Sequence, residues 1–98
     1  LTEKTPDFLT TLETLIRDRI DSPINGSYTS ELIAAGQKRM AQKVGEEAVE
    51  LALASVSGDR GETIDEAADL LYHVLVLLHS QDIELADVVA TLASRHKA

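Results

Sequence analysis

The sequence predicts an all-α fold, a helical bundle of four to five helices forming one domain over residues 1–98. Three observations carry this. Apolar residues recur at three- and four-residue spacing through almost every segment. Apart from Pro6 and Gly45, the glycines and prolines are confined to short stretches, "DSPINGSY" at 21–28, Gly36, and "GDRG" at 58–61. No run alternates apolar and polar residues as a strand would, and neither a repeat nor a low-complexity segment breaks the pattern.

Thr5, Pro6 and Asp7 open the first helix, because proline suits the first helical position and an acid favours the positive end of the dipole. Phe8, Leu9, Leu12, Leu15, Ile16 and Ile20 then form an apolar stripe. Ser27 or Thr29 caps a short second helix carrying Leu32 and Ile33, which Gly36 ends. A long helix follows from about Gln37 to Ser57, stopped by Gly58. The fourth runs from about Glu62 to His79, and the fifth from about Glu84 to His96 with Leu85, Val88, Val89 and Leu92 on one side. Helix four bears Ile64, Ala67, Ala68, Leu70, Leu71 and the run Val74 to Leu78, apolar nearly all round, the pattern of a helix covered on several sides. A chain of 98 residues has little interior with which to cover it. A homodimer with a two-fold interface is therefore expected, with Leu75 and Leu78 on the candidate interface.

Composition removes several function classes. With 17 acidic against 9 basic residues the net charge is -8, which opposes any sequence-independent grip on a nucleic-acid backbone. The absence of cysteine excludes disulfides, thiolate nucleophiles and thiolate zinc sites, and suits a reducing, cytoplasmic setting. The longest apolar stretch, "LLYHVLVLL" at 70–78, is too short to span a bilayer, and nothing at the start resembles a signal peptide.

The informative stretch is "KVGEEAVELALA" at 43–54, where Glu46, Glu47 and Glu50 crowd a helix that is otherwise small or apolar. Like charges so close weaken a helix. At about 100° per residue, Glu47 and Glu50 lie about 60° apart on one side, with Lys43 a turn before Glu47. The next helix repeats the device: "DEAADLLYHV" sets Glu66 and Asp69 at the same spacing, with Asp65 beside them and His73 a turn further on. A tight turn between the helices lets the two pairs face each other. The acids are then either a solvated face or a cage for a hard cation such as Mg²⁺, which takes oxygen ligands and shares its shell with substrate phosphates.

"KVGEEAVELALA" followed by "IDEAADLLYHVLVLL" resembles the phosphoribosyl-ATP pyrophosphohydrolase family of histidine biosynthesis, within the all-α, MazG-like nucleoside triphosphate pyrophosphohydrolases marked by Glu-x-x-Glu and then Glu-x-x-Asp. "GSYTSEL" at 26–32, "AAGQKRMAQKVGEE" and the closing "LADVVATLASRH" extend the resemblance along nearly the whole chain. It implies Mg²⁺-dependent hydrolysis of phosphoribosyl-ATP to phosphoribosyl-AMP and pyrophosphate, with Glu47, Glu50, Glu66 and Asp69 as metal ligands. Glu46, with Glu47, is then expected in the catalytic step as a water-orienting base or supporting acid. Lys43 would meet a phosphate or pair with Glu47, Lys38 and Arg39 are further phosphate candidates, and Ser27 and Tyr28 would contact ribose, base or phosphate. The resemblance also implies a homodimer and fusion behind a phosphoribosyl-AMP cyclohydrolase domain, for which "LTEKTPD" at the start, with residues 1–6 as a linker end, would be the junction.

Other readings stand beside this one. His73 is expected as an interior histidine bonded to a neighbour, Tyr72 as core or interface, and His79 and His96 as helix-closing residues suited to the dipole. A broader-range nucleoside triphosphate pyrophosphatase would share the carboxylate pattern. A non-catalytic helical dimerisation module would explain the apolar fourth helix but would have no use for Mg²⁺.

Overall fold

The computed structural model describes residues 5–97, and among them it contains five helices and no strand. They are α1 (Thr5–Asp21), α2 (Tyr28–Ala35), α3 (Gln37–Ser57), α4 (Arg60–His79) and α5 (Leu85–Arg95). Of the linker end expected at 1–6, residues 1–4 lie outside the described residues, while Thr5 and Pro6 already belong to α1. No helix among the described residues is long and apolar enough to cross a membrane.

The α3–α4 hairpin is the largest packing unit. Its turn is short because two caps meet in it. Gly58 takes a left-handed conformation (φ 82°, ψ 8°) that a side chain would disfavour, and its N–H donates to the carbonyls of Ala54 and Ser55. Asp59 then caps α4, its carboxylate accepting from the Glu62 N–H at 2.9 Å. That cap starts α4 two residues earlier than apolar spacing alone suggested, at Arg60. At the other end of α3, Gly36 (φ 99°) joins it directly to α2, which Ser27 caps by accepting from the Ser30 N–H.

The core lies away from the hairpin turn. Ile16 of α1, Leu32 of α2, Met40 of α3, and Leu75 and Val76 of α4 are buried together, and Leu9, Leu12, Ile20, Ile33, Tyr72, Leu77 and Leu85 pack around them. Only the C-terminal half of α4 is therefore covered within one chain. In its first half Ile64 and Leu71 are 54% and 40% exposed, and Ala67 and Ala68 are also exposed. Leu75, expected on an interface, is fully buried in the chain's own core. On the hairpin the apolar surface that remains open lies nearer the turn, at Val49, Leu53 and Val56 on α3 and at Ile64 and Leu71 on α4; Phe8 and Leu15 on α1, Ile24, and Val89 and Leu92 on α5 are exposed as well.

One carboxylate ties three helices at the core end. Glu13 of α1 accepts from His79 Nε2 at the end of α4 and from the Leu85 N–H at the start of α5, both at 2.7 Å. Arg17, one turn along α1, donates to the His79 carbonyl at 3.0 Å and pairs with Asp82 at 3.1 Å. The α5 start is further held by a reciprocal capping box between Glu84 and Asp87. His79 thus does more than close its helix, because a buried donor on it is matched by a specific partner 66 positions away. Replacement of Glu13 by alanine strands that donor and one orphan N–H of α5, and is expected to cost about 2–3 kcal/mol of stability. Urea unfolding of Glu13→Ala against the parent checks this, and retention of the parent midpoint would refute the tie.

Candidate active site

The turn that shapes the hairpin also sets the register of the acids. Glu47 stands eleven residues before Gly58 and Asp69 eleven after it; Glu50 stands eight before and Glu66 eight after. Antiparallel packing consequently brings the two pairs to the same height. Glu47, Glu66 and Asp69 each offer a carboxylate oxygen, and these oxygens all lie within 4.8 Å of one another. Glu50 does not complete that group: it is exposed, although its charge is felt at Glu66.

Burial makes the three acids unequal. Glu47 is 6% exposed, Glu66 is half-buried and Asp69 is exposed. Glu47 Oε2 pairs with Lys43 Nζ at 3.2 Å, one turn earlier on α3. Its Oε1 is buried with no hydrogen-bond partner, and so is Glu66 Oε1. Two shielded carboxylate oxygens side by side without donors are costly unless something positive meets them. Withdrawal from solvent raises the Glu66 pKa above the ordinary glutamate value, and the charge of Glu50, the contact with Glu47 and the charge of Asp69 raise it further. Lys43 is raised chiefly by its bond to Glu47, against the opposing effect of burial, with Tyr28, Glu47 and Glu46 adding to the field around it. Both orphaned groups of this cluster are hard oxygens, the donor set of Mg²⁺ and its like rather than of a thiophilic metal.

The other expected residues fall around this cluster in different ways. Glu46 lies outside the group, 3.6 Å from Lys43 and 3.8 Å from Arg39 across their charged ends. Lys43 takes the Glu47 pairing. Arg39 is engaged by Glu46, and Lys38 is exposed on the same helix. Ser27 is committed to capping α2, whereas Tyr28, the first residue of α2, is 49% exposed. The Tyr28 hydroxyl lies 2.9 Å from His73 Nε2, and His73 Nδ1 lies 2.7 Å from the Asp69 carbonyl oxygen. Thr29 and Tyr72 bond through their hydroxyls beside this pair. Sequence could show that His73 reaches the carbonyl one turn back. It held no signal for Tyr28, 45 positions away, as the second partner.

Fold and site together define a class: an all-α domain whose central hairpin gathers acids from two helices into one oxygen-rich cluster. Residues 9–96 match the phosphoribosyl-ATP pyrophosphohydrolase family, and the chain belongs to it. The chain is similar to the histidine biosynthesis bifunctional protein HisIE of Vibrio cholerae, 52% identical over 88% of this chain and 41% of that protein. The HisIE proteins of Escherichia coli and Pasteurella multocida are 51% and 53% identical, over 92% and 96% of this chain and 44% and 49% of their own lengths. The chain thus spans less than half the length of these relatives.

The raised pKa of Glu66 gives a signed expectation. A carboxyl with a raised folded pKa favours the folded state when protonated, and that contribution is lost as pH rises through the folded pKa. In the metal-free protein, Glu66→Gln should therefore melt above the parent near neutral pH, and the gap should close as pH falls below the ordinary glutamate range. Melting curves of both proteins in a chelator, across that pH range, test it; a gap that widens on acidification would contradict the assigned strain.

Proposed function

We propose that this domain hydrolyses phosphoribosyl-ATP to phosphoribosyl-AMP and pyrophosphate, using Mg²⁺ held by Glu47, Glu66 and Asp69 with Glu50 at the edge of the site. The observation that carries the reading is the pair of buried, partnerless oxygens on Glu47 and Glu66 within an acidic cluster of a chain of this family. When bound, the cation would neutralise these oxygens, offset the net charge of -8 that repels a polyphosphate, and stabilise the departing pyrophosphate.

The chain's own residues divide the remaining work. The hairpin holds the ligands on two rigid helices, so the acids are positioned before substrate arrives. Lys43 pairs with Glu47 and orients it, and offers its remaining N–H donors to a phosphate oxygen. Glu46, half-exposed and paired with Lys43 and Arg39, is the acid assigned to orient the attacking water; Lys38 and Arg39 add positive charge on the approach to α3. Pyrophosphate release from phosphoribosyl-ATP and from ordinary nucleoside triphosphates, with and without Mg²⁺, tests substrate and cation together. Single amide replacements of Glu47, Glu66 and Asp69 are expected to remove most turnover, about a hundredfold or more if each loss costs near 3 kcal/mol of transition-state stabilisation. Near-parent activity of all three at limiting Mg²⁺ would refute the site. Equal turnover of ordinary nucleotides would favour the broader-range reading.

The working unit we propose is a homodimer. One chain exposes 6717 Å², against about 5,500 Å² for a compact monomer of its mass. Its radius of gyration of 14.6 Å also exceeds the roughly 13 Å of a compact domain this long. The excess from two copies, on the order of 2,400 Å², is the size of a stable dimer interface. Val49, Leu53 and Val56 at i, i+4 and i+7 share one face of α3, and with the exposed Ile64 and Leu71 on α4 they offer apolar surface of the kind such an interface needs. The identity of the relatives as bifunctional proteins more than twice this length supports a further reading, that the domain works joined to the phosphoribosyl-AMP cyclohydrolase that would consume its product. Leu53→Asp, at a position 65% exposed in one chain, is expected to shift sedimentation from dimer to monomer while leaving helix content intact. A parent protein that sediments as a monomer at micromolar concentration would end the dimer proposal and leave the acidic site standing.

A further inference from the structure

Helix α3 has two sides poor in charge, and the chain covers only one. Met40, Glu47 and Ala54, spaced by seven along the helix, are buried against the rest of the chain. The opposite side is centred on Val49, about 160° round from Glu47. It presents Ala41, Gly45 and Ala48 in its first half and Val49, Leu53 and Val56 in its second, all exposed and none charged. A helix that met only water there would carry polar side chains. Gly45 is the sharper sign. A glycine inside a helix costs stability relative to alanine, and a Cβ at this position would meet no packed neighbour within 4 Å among the described residues. The fold of one chain therefore gains nothing from the missing side chain, whereas a second helix passing close to the α3 backbone would.

We propose that α3 packs antiparallel against α3 of a second copy about a two-fold axis near Ala48 and Val49, with Leu53 and Val56 of each chain seated over Gly45 and Ala41 of the other. The inference rests on the homodimer reading and names the surface that joins the copies. The face is self-complementary in that orientation. Its small residues occupy one half and its large ones the other, so reversal sets large on small along the whole contact, and the two-fold axis repeats each pairing. A parallel pair would stack Val56 on Val56 and set Gly45 opposite Gly45, crowded at one end and hollow at the other. Antiparallel helices also oppose their dipoles. A face without charge offers nothing to a partner recognised by charge, while the surface that one chain of 6717 Å² exposes in excess of a compact monomer is what a second copy would cover. Glu46 and Glu50 border the face on one side, so the second α3 comes up beside the acidic cluster.

The chain has no cysteine, so a single introduced thiol can form a disulfide only with a second copy. Val49→Cys, beside the axis, is expected to give a covalent dimer on mild copper-catalysed oxidation. Ala41→Cys and Val56→Cys, each far from its own symmetry mate, are expected to stay unlinked. The double variant Ala41→Cys/Val56→Cys should link again, because its two thiols lie about 22 Å apart along one helix and meet only across the interface. Gly45→Leu is expected to keep its helix content and to weaken dimerisation about tenfold or more in sedimentation, since its side chain fills the space of the second helix. Linking of Val56→Cys alone as readily as Val49→Cys would overturn the antiparallel register. A dimeric Val49→Cys protein that does not link, or a Gly45→Leu dimer as tight as the parent, would overturn the α3 pairing. A parent chain that sediments as a monomer would instead refute the homodimer on which the inference rests, so the two failures are distinguishable.

Discussion

The rest of this structure depends on one electrostatic constraint, the placing of the Glu47 carboxylate inside a helical hairpin within 4.8 Å of two other acids. One oxygen is satisfied by Lys43 and the other by no group among the described residues. A single lysine cannot balance three neighbouring carboxylates, so the isolated domain carries an electrostatic cost that a cation would relieve. Such an arrangement survives only if the backbone holding it cannot relax. The two-residue turn, with Gly58 closing α3 and Asp59 opening α4, supplies that rigidity and fixes the height at which the acids meet. Caps and cluster are thus parts of one device: a longer or looser turn would let the helices slide and the acids part.

The same hairpin explains why the single chain is open. Its core end is covered by α1 and α2, but the end near the turn has no third layer, and its outward residues remain apolar. A second copy laid against that end would cover Leu53, Val56 and Ile64 and would enclose the acids more deeply, lowering the local dielectric in which they act. Burial through association and electrostatics at the site would then reinforce each other, since a drier cluster binds a cation more firmly.

Helix content and register were legible in the sequence because both follow from local rules: apolar spacing for the helices, Gly36 and Gly58 for their ends, and equal distances about one turn for the two acid pairs. The extent of burial was not. Helix four reads as uniformly apolar from Ile64 to Leu78, yet the structure buries Leu75 and Val76 and exposes Ile64 and Leu71. Periodicity reports which residues are apolar, whereas coverage depends on where α1 and α2 dock, which is a property of the whole chain. The Glu50 position shows the same limit. Spacing places it beside Glu47, but one turn closer to the hairpin tip it faces water, and its oxygens do not join the group formed by Glu47, Glu66 and Asp69. The ties from Glu13 to His79 and from Tyr28 to His73 cross 66 and 45 positions, and no local pattern announces such partners.

Two glutamates in this small domain show how identical side chains are given opposite tasks by their partners. Glu13 brings one oxygen to two donors that would otherwise be orphaned, the His79 ring and the first N–H of α5, and its charge is also complemented by the positive end of that helix. Both contacts are made within the chain, so Glu13 serves the fold. Glu47 is buried more deeply yet is left with an oxygen that has no donor, and its nearest acidic neighbour, Glu66, is left in the same condition. Folding alone would favour replacing such residues by neutral ones of similar shape. The proposed cation, shared with a phosphate-bearing substrate, would account for their presence at the meeting point of two helices, while at the core end Glu13 ties α1, α4 and α5 together.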